Sequence, residues 1–382
     1  MRFIKVSFTC LILLSVLSCG TQPAKIVSAR KHFDRGTVFF NRHNWDSAIS
    51  EYSEVIELEP DYADAYANRA RAYIALGDYD RAIDDINMAL MLDPNSAVAY
   101  YARGNVYLNT GDHDQAIENY TQAIRLNPDF LEAYTNRGNA YVNKGDYDQA
   151  IAEYNQTINL NPNFSEAYLN RGSVFANIGD YDRAIADFDQ AIDLNPNYAD
   201  AFNNRGIVYL DKGDYDRAIA DFNKAIKYNH NSAETYNSRG IAYWNKGDYD
   251  RAIGDHTQAI RLNPAYADAY NNRGIAYWSK GDYDRAIAEF TQTIRLNPNS
   301  AAAYNNRGSA FGKRGDYDWA IADYTQAIKL NPDFAAAYYY RGLIYQEVGD
   351  TVKADADFEK AQELGYDSME QPLVAHAQNT VT

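Results

Sequence analysis

The sequence predicts an all-α solenoid of ten helical hairpins, and two observations support that fold class. The motif Gly-Asp-Tyr-Asp recurs at 34 residues or a multiple of 34, at Gly77, Gly145, Gly179, Gly213, Gly247, Gly281 and Gly315. Small and aromatic side chains recur with the same period on both sides of the motif. A fixed period of this size is the signature of a repeat protein whose units each pack on their neighbours.

The register follows when Ala63 is taken as position 1 of a repeat. Repeats 1 to 10 then cover residues 29–62, 63–96, 97–130, 131–164, 165–198, 199–232, 233–266, 267–300, 301–334 and 335–368. Outside them, the sequence predicts a signal segment at 1–18, a linker at 19–28 and a tail at 369–382.

Within a repeat, the pattern predicts a first helix, a tight turn and a second helix. Position 20 is Ala in all ten repeats and position 8 is Gly in nine, so the two helices can approach closely. Aromatic residues at positions 4, 11 and 24 fill the adjoining space. Gly permits the turn, the following Asp caps the second helix, and Asn-Pro at positions 31 and 32 ends it.

These positions resemble the tetratricopeptide repeat family over 340 of the 382 residues. The residues of repeat 2 that carry the resemblance are Tyr66, Ala70, Tyr73, Ala82, Ile86, Ala89 and Pro94. The resemblance implies a right-handed superhelical solenoid that acts as a binding scaffold, with a concave face lined by the first helices. The pattern is broken by His32 and His43 in repeat 1, by His230 between repeats 6 and 7, and by Tyr366 at the end of repeat 10.

The first residues resemble the signal of a bacterial lipoprotein. Residues 6–17 form an apolar run that is too short to span a bilayer as a mature helix. The run leads into Leu-Ser-Cys-Gly, which resembles a lipobox, and the resemblance implies a lipid on Cys19. Gly20 after the cysteine fits the outer membrane, facing the periplasm. An ordinary secretory signal, cut near the same place, is the alternative.

Composition limits the classes of function. A formal charge of −16 opposes nucleic-acid binding, because neutralising phosphates requires clustered Lys and Arg. The six histidines fall at different repeat positions without the spacing of a metal site, and no phosphate-binding glycine loop or nucleophile elbow is present. We therefore expect no enzyme activity, no metal and no cofactor. His256 stands where other repeats place an aromatic residue, so we expect it to be packed in the core.

Position 7 is Arg in every repeat, which could be taken for an anion-binding row. Position 23 is acidic in nine repeats, with Asn119 as the exception. We therefore expect each arginine to pair with the carboxylate on the second helix of its own repeat, while its stem packs on the core. On this interpretation, Asp221→Ala lowers the melting temperature.

Asparagines recur on the face that the family uses for binding. They resemble the ladder in the superhelical repeat domain of O-linked N-acetylglucosamine transferase, whose amides hold the backbone of an extended peptide. One carboxamide offers an acceptor and donors that match a peptide unit. Aromatic and aliphatic side chains beside them add the anchors typical of binding hot spots. The predicted peptide-binding residues are Asn68, Asn136, Asn170, Asn203, Asn204, Asn237, Asn271, Asn272, Asn305, Asn306, Ile207, Ile241, Ile275, Trp244 and Trp278.

Two interpretations of this face and two functions stay open at this point. The amides could form a solvated polar face, and the isoleucines could fill gaps between helices. The first function is a lipid-anchored adaptor that holds extended segments of other envelope proteins. The second is a self-assembling structural protein, in which the solenoid makes a homo-oligomer.

Overall fold

The structure is a computed structural model that describes the backbone of residues 9–366 and the side chains of residues 25–366. The lipidation prediction at Cys19 and the predicted tail at 369–382 lie outside the residues whose side chains are described.

Twenty helices and no strand occur between residues 9 and 366. The helices are α1 Thr9–Asn41, α2 Trp45–Leu58, α3 Ala63–Ala75, α4 Tyr79–Leu92, α5 Ala97–Thr110, α6 His113–Leu126, α7 Leu131–Lys144, α8 Tyr147–Leu160, α9 Ser165–Asn177, α10 Tyr181–Leu194, α11 Ala199–Asp211, α12 Tyr215–Tyr228, α13 Ala233–Asn245, α14 Tyr249–Leu262, α15 Ala267–Ser279, α16 Tyr283–Leu296, α17 Ala301–Arg314, α18 Tyr317–Leu330, α19 Ala335–Glu347 and α20 Thr351–Glu363. The predicted all-α repeat of hairpins is confirmed. α1 is longer than one repeat predicts, because it continues through the predicted linker.

The chain divides into two compact units. Unit 1 is Met1–Val174 and unit 2 is Phe175–Thr382, so the division falls inside α9. In unit 1, the two helices of a hairpin pack together, and the second helix then packs on the first helix of the next repeat. Unit 2 is built in the same way from α10 onward.

The close approach of the two helices at position 8 is confirmed. A Cβ on Gly104 would lie 2.6 Å from Cε1 of Tyr120, which is closer than van der Waals contact allows. Repeat 2 has Ala70 at this position, and it faces Ile86 in place of a ring. The extra methyl group on the first helix is thus matched by a narrower side chain on the second.

The turns and helix ends also follow the sequence. Gly111 between α5 and α6 has a φ of 85°, and Asp112 accepts a hydrogen bond from the backbone N–H of Gln115 at 3.1 Å. In repeat 1, His43 takes the place of the glycine and still adopts a φ of 56°, in the left-handed region that disfavours a side chain. α6 ends at Leu126, before Asn127 and a proline.

Within the described part of the chain, none of the helices has both the length and the apolar character needed to cross a membrane.

Candidate functional site

The arginines at position 7 pair with the acidic residues at position 23, as predicted. In unit 2, Arg205 donates from Nε and Nη2 to the two carboxylate oxygens of Asp221, at 2.7 Å each. The other arginines whose partner on the second helix is described form the pairs Arg35–Glu51, Arg69–Asp85, Arg103–Asn119, Arg137–Glu153, Arg239–Asp255, Arg273–Glu289, Arg307–Asp323 and Arg341–Asp357. A guanidinium held in this way stabilises the hairpin. The arginines therefore do not form a row of free groups that could bind anions.

Most of these arginines also contact the preceding repeat, which the sequence analysis missed. Arg69 donates from Nη1 to Oγ of Ser53 at 2.9 Å, and Arg239 donates to Oδ1 of Asn223 at 2.6 Å. Both acceptors stand at position 25 of the repeat before. The sequence does contain a signal for this contact between repeats, namely the small polar residue that recurs at position 25. Each such arginine therefore joins three helices from two repeats.

The asparagines at positions 5 and 6 are less accessible than the sequence predicts. Asn204, Asn272 and Asn306 are each 0% exposed, and Asn237, Asn271 and Asn305 are also buried. A buried amide cannot reach a ligand without a rearrangement of its neighbours. The expectation that these six amides lie open on a concave face is therefore corrected, whereas Asn68, Asn136, Asn170 and Asn203 stay partly exposed.

In unit 2, the buried amides connect neighbouring repeats. Asn272 donates from Nδ2 to Oδ1 of Asn237 at 3.2 Å, and Asn306 donates in the same way to Asn271 at 3.0 Å. Each bond joins position 6 of one repeat to position 5 of the repeat before. Oδ1 of Asn237 also lies 3.0 Å from Nδ1 of His256. His256 is fully buried, as expected for a packed histidine.

In unit 1, asparagines at position 9 take the place of those at position 5. Asn136 donates to Oδ1 of Asn105 at 2.9 Å, and the same oxygen accepts the phenol O–H of Tyr120 at 2.7 Å. Asn68 instead donates to the backbone carbonyl of Asp64 on its own helix at 2.8 Å. Position 9 was outside the predicted set of amides in unit 1, although Asn105 and Asn139 are visible there in the sequence.

The predicted anchors divide into buried isoleucines and partly exposed tryptophans. Ile207, Ile241 and Ile275 are buried, which favours the interpretation that they fill space between helices. Trp244 and Trp278 are only partly buried, and each packs against the tyrosine at position 17 of its own repeat. The tryptophans therefore remain available for contact with another molecule.

Two carboxylates on the first helices of unit 2 have raised pKa values. Asp211 and Asp268 lie there with their side chains in contact with solvent. Desolvation by the surrounding protein nevertheless raises the pKa of both groups above the ordinary value. In unit 1, Glu166 has a raised pKa for the same reason, with a smaller contribution from the charge of Glu132.

A cavity of about 350 Å³ lies in repeats 9 and 10, and the sequence analysis did not anticipate it. Its lining includes Gly312, which stands at position 12, where repeats 7 and 8 carry Trp244 and Trp278. The break in the row of large residues at position 12 was the signal that could have revealed it.

Within the described residues, no group of three or more His, Cys, Asp or Glu side chains could hold a metal ion.

Sequence comparison gives matches to repeat families along most of the chain. The family described as Tetratricopeptide repeat matches residues 33–97, 169–234, 237–301 and 273–318. The family described as TPR repeat matches residues 104–145, 138–179 and 308–349. Two further tetratricopeptide families match residues 87–118 and 335–364. No curated protein gives a significant match.

Two solved structures show a similar fold. The first is a tetratricopeptide repeat protein from Parabacteroides merdae, with a TM-score of 0.52, 21% identity, and coverage of 65% of this chain and 98% of the other. The second is the APC/C hetero-tetramer Cut9-Hcn1, with a TM-score of 0.52, 17% identity, and coverage of 89% and 74%. At these identities the likeness concerns the fold alone.

Proposed function

Because the chain belongs to the tetratricopeptide repeat family, a fold for protein interaction, we propose that it is a lipid-anchored scaffold for other proteins. It binds extended segments on the first helices of its repeats and brings proteins of the bacterial cell envelope together. The lipid on Cys19 holds it at the outer membrane, facing the periplasm.

The observation that supports binding is the partial exposure of Trp244 and Trp278 beside buried amides. Their indoles are held by Tyr249 and Tyr283, with ring centroids 6.4 and 6.5 Å apart. Rigid aromatic side chains that stay partly exposed are typical anchors of protein interfaces. The desolvated carboxylate of Asp268 adds negative charge, which favours a segment that carries Lys or Arg.

Crosslinking in envelope membranes, followed by mass spectrometry, tests this proposal. Replacing Trp244 and Trp278 together by Ala is expected to reduce the crosslinked partners by about tenfold, as for truncated hot spots. Helical content measured by circular dichroism is expected to stay unchanged. Trp319→Arg is the matched control, because it removes a tryptophan from position 19, where five other repeats carry Arg. Unchanged crosslinking in the double variant would contradict binding at these tryptophans.

The lipid anchor has its own test and a built-in control. The chain has two cysteines, Cys10 and Cys19. In cells fed a labelled fatty acid, Cys19→Ser is expected to abolish incorporation of the label, whereas Cys10→Ser is expected to retain it. Label on the Cys19→Ser protein would contradict the proposed anchor, and an unlabelled wild type would favour an ordinary secretory signal.

Self-association is a second candidate function, and one exposed side chain favours it. Trp319 in unit 2 is 65% exposed, and its ring stacks on Phe311 with centroids 6.1 Å apart. Tryptophan is enriched at protein interfaces, so this side chain could contact a second copy. If it mediates assembly, wild-type protein sediments as an oligomer and Trp319→Arg sediments as a monomer. A wild type that stays monomeric at all concentrations would rule this function out.

A further inference from the structure

Repeats 7, 8 and 9 differ at one point on their first helices. Position 12 is Trp244 in repeat 7, Trp278 in repeat 8 and Gly312 in repeat 9, while position 17 is a tyrosine in all three. In the first two, the indole packs against that tyrosine. In repeat 9, Tyr317 has no tryptophan from its own first helix to pack against, and it lines the cavity of about 350 Å³.

The walls of this cavity combine aromatic and aliphatic side chains with three polar ones, Ser309, Lys313 and Glu347. Tyr317 and Tyr324 come from the second helix of repeat 9, and Tyr340, Leu343 and Ile344 come from the first helix of repeat 10. Aromatic and aliphatic walls with a few polar groups are typical of pockets that bind a specific group. Burial raises the pKa of Tyr324, so its phenol stays neutral at the wall.

A second substitution enlarges the same space. Position 9 is Ile275 in repeat 8 and Ser309 in repeat 9, and Ser309 forms part of the lining. Two large side chains of repeat 8, Ile275 and Trp278, are thus replaced by the small residues Ser309 and Gly312. The lost volume is only partly recovered by Ile344, which stands where repeats 8 and 9 have Ala at position 10.

The polar edge of the cavity matches the donor of an indole. In repeat 7, Trp244 donates from Nε1 to Oγ of Ser279 at 2.9 Å, and Ser279 stands at position 13 of the next repeat. For position 12 of repeat 9, the residue at position 13 of the next repeat is Glu347, whose exposed side chain lines the cavity. A carboxylate accepts an N–H more strongly than a hydroxyl does.

We infer that this cavity binds the tryptophan side chain of an extended partner segment, which replaces the indole that repeat 9 lacks. The indole packs on Tyr317 and donates its N–H to Glu347. In the wild-type chain it comes from outside, because Gly312 has no side chain. A Cβ on Gly312 would lie 2.9 Å from Cδ1 of Ile344, so a residue introduced there enters the cavity only by displacing the end of that side chain. The indole of a partner segment enters from solvent and therefore needs no side chain on Gly312. This inference rests on the proposed function and specifies the chemistry of one anchor in the partner.

Methyl NMR of the full chain with labelled isoleucine tests the inference directly. N-acetyl-L-tryptophanamide is expected to shift the Ile344 methyl signal in a saturable way, whereas N-acetyl-L-alaninamide is not. Gly312→Trp fills the cavity and is expected to abolish the shift. Val352→Asp is the control and is expected to keep the shift, because Val352 is 79% exposed, does not line the cavity, and stands at position 18, where the other nine repeats carry Asp. No saturable shift in the wild type, or an equal shift in Gly312→Trp, would overturn the inference.

A second comparison does not depend on filling the cavity. Glu347→Ala is expected to lower the affinity for N-acetyl-L-tryptophanamide by about tenfold, because the variant loses one charge-assisted hydrogen bond. The same variant is expected to leave the affinity of the N1-methylated analogue unchanged, because that analogue has no N–H to donate. Equal weakening of both compounds would overturn the role of Glu347.

Other outcomes separate this inference from the proposed function. If the Ile344 signal shifts on concentrating the protein alone, and Trp319→Arg removes that shift, the occupant is a second copy and the inference is wrong. If partners still crosslink to Gly312→Trp but not to the Trp244 and Trp278 double variant, the inference fails and the proposed function stands. If tryptophanamide binds but no partner crosslinks to wild type, the proposed function fails and the cavity assignment stands.

Discussion

Repeats 3 and 4 of unit 1 and repeats 6 and 8 of unit 2 fill the same place inside the hairpin with opposite chemistry. In repeats 3 and 4 of unit 1, the phenol at position 24 donates to an amide at position 9, in the pairs Tyr120–Asn105 and Tyr154–Asn139, at 2.7 Å each. In repeats 6 and 8 of unit 2, position 24 is Phe and position 9 is Ile. Ile275 and Phe290 belong to one buried apolar cluster of repeat 8.

The difference teaches that positions 9 and 24 act as a pair. A buried phenol needs an acceptor and a buried amide needs a donor, and these four repeats supply both or neither. Repeat 7 is mixed, with Ile241 at position 9 and His256 at position 24, and there the ring finds its partner in Asn237 at position 5. The frame around the pair, built from Gly at position 8 and Ala at position 20, is the same in repeats 3, 4, 6 and 8.

The largest effect is expected when an amide is placed in the apolar version. Ile275→Asn in repeat 8 puts a carboxamide against Phe290, which has no group to receive or donate a hydrogen bond. We expect a loss of about 3 to 4 kcal/mol in the free energy of unfolding, from unpaired polarity and lost packing. Thermal and denaturant unfolding of the two proteins measure it. Ile275→Val, expected to cost about 1 kcal/mol, is the control for volume alone. Equal losses in the two variants would show that polarity at position 9 is tolerated.

The second effect concerns the arginine–carboxylate pairs, which occur in both units. Asp221→Ala in unit 2 removes the carboxylate that accepts two hydrogen bonds from Arg205, and Glu153→Ala in unit 1 removes the carboxylate that accepts one from Nη2 of Arg137. We expect both to lose about 3 kcal/mol, since each removes one member of a largely buried ion pair. Asp216→Ala, on the same helix as Asp221, removes an exposed ion pair and is expected to cost under about 1 kcal/mol. A much smaller loss in one unit would break the claim of a shared frame.

These two cases show what the sequence could predict. The 34-residue period placed the hairpins, the turns and the pairing of position 7 with position 23, because each depends on residues that recur in nearly every repeat. The period could not show that Asn272 and Asn306 are buried. An asparagine satisfies its amide equally well with a peptide, with water or with another asparagine one repeat away. Only the spacing between neighbouring first helices decides which of these it meets.

The cavity escaped prediction for the opposite reason. A repeat pattern draws attention to residues that recur, whereas the cavity arises where Gly312 and Ser309 depart from the pattern. The isoleucines show the same limit. Ile207 could face a ligand or the interior, and its burial beside Phe222 assigns it to the interior. Partial exposure of Trp244 and Trp278 was likewise beyond the reach of the period.

A third effect, of intermediate size, tests the pairing of positions 9 and 24 in unit 1. Asn139→Ile removes the acceptor of Tyr154 and a weaker contact from Asn170 at 3.5 Å. We expect a loss of about 2 kcal/mol, the cost of an unpaired buried hydroxyl. Adding Tyr154→Phe recreates the pair of unit 2 and is expected to recover most of that loss. A double-mutant cycle measures the coupling, and additive losses would contradict the pairing.

The smallest effect applies the same comparison at position 12 within unit 2. Trp244 donates to Ser279, but Nε1 of Trp278 is buried without a hydrogen-bond acceptor among the described residues. The residue at the place of Ser279 in the next repeat is Lys313, whose ammonium group has only donors. Lys313→Ser is therefore expected to raise the free energy of unfolding by about 1 kcal/mol.

The reciprocal variant Ser279→Lys is the matched control for that last effect. It withdraws the acceptor from Trp244 and is expected to lower the free energy of unfolding by a similar amount, about 1 kcal/mol. Helix propensity and the net charge of −16 both favour lysine over serine, so either effect alone predicts the reverse signs, a loss in Lys313→Ser and a gain in Ser279→Lys. If Lys313→Ser lowers the melting temperature, or Ser279→Lys raises it, the hydrogen bond of the indole does not decide the stability of position 12.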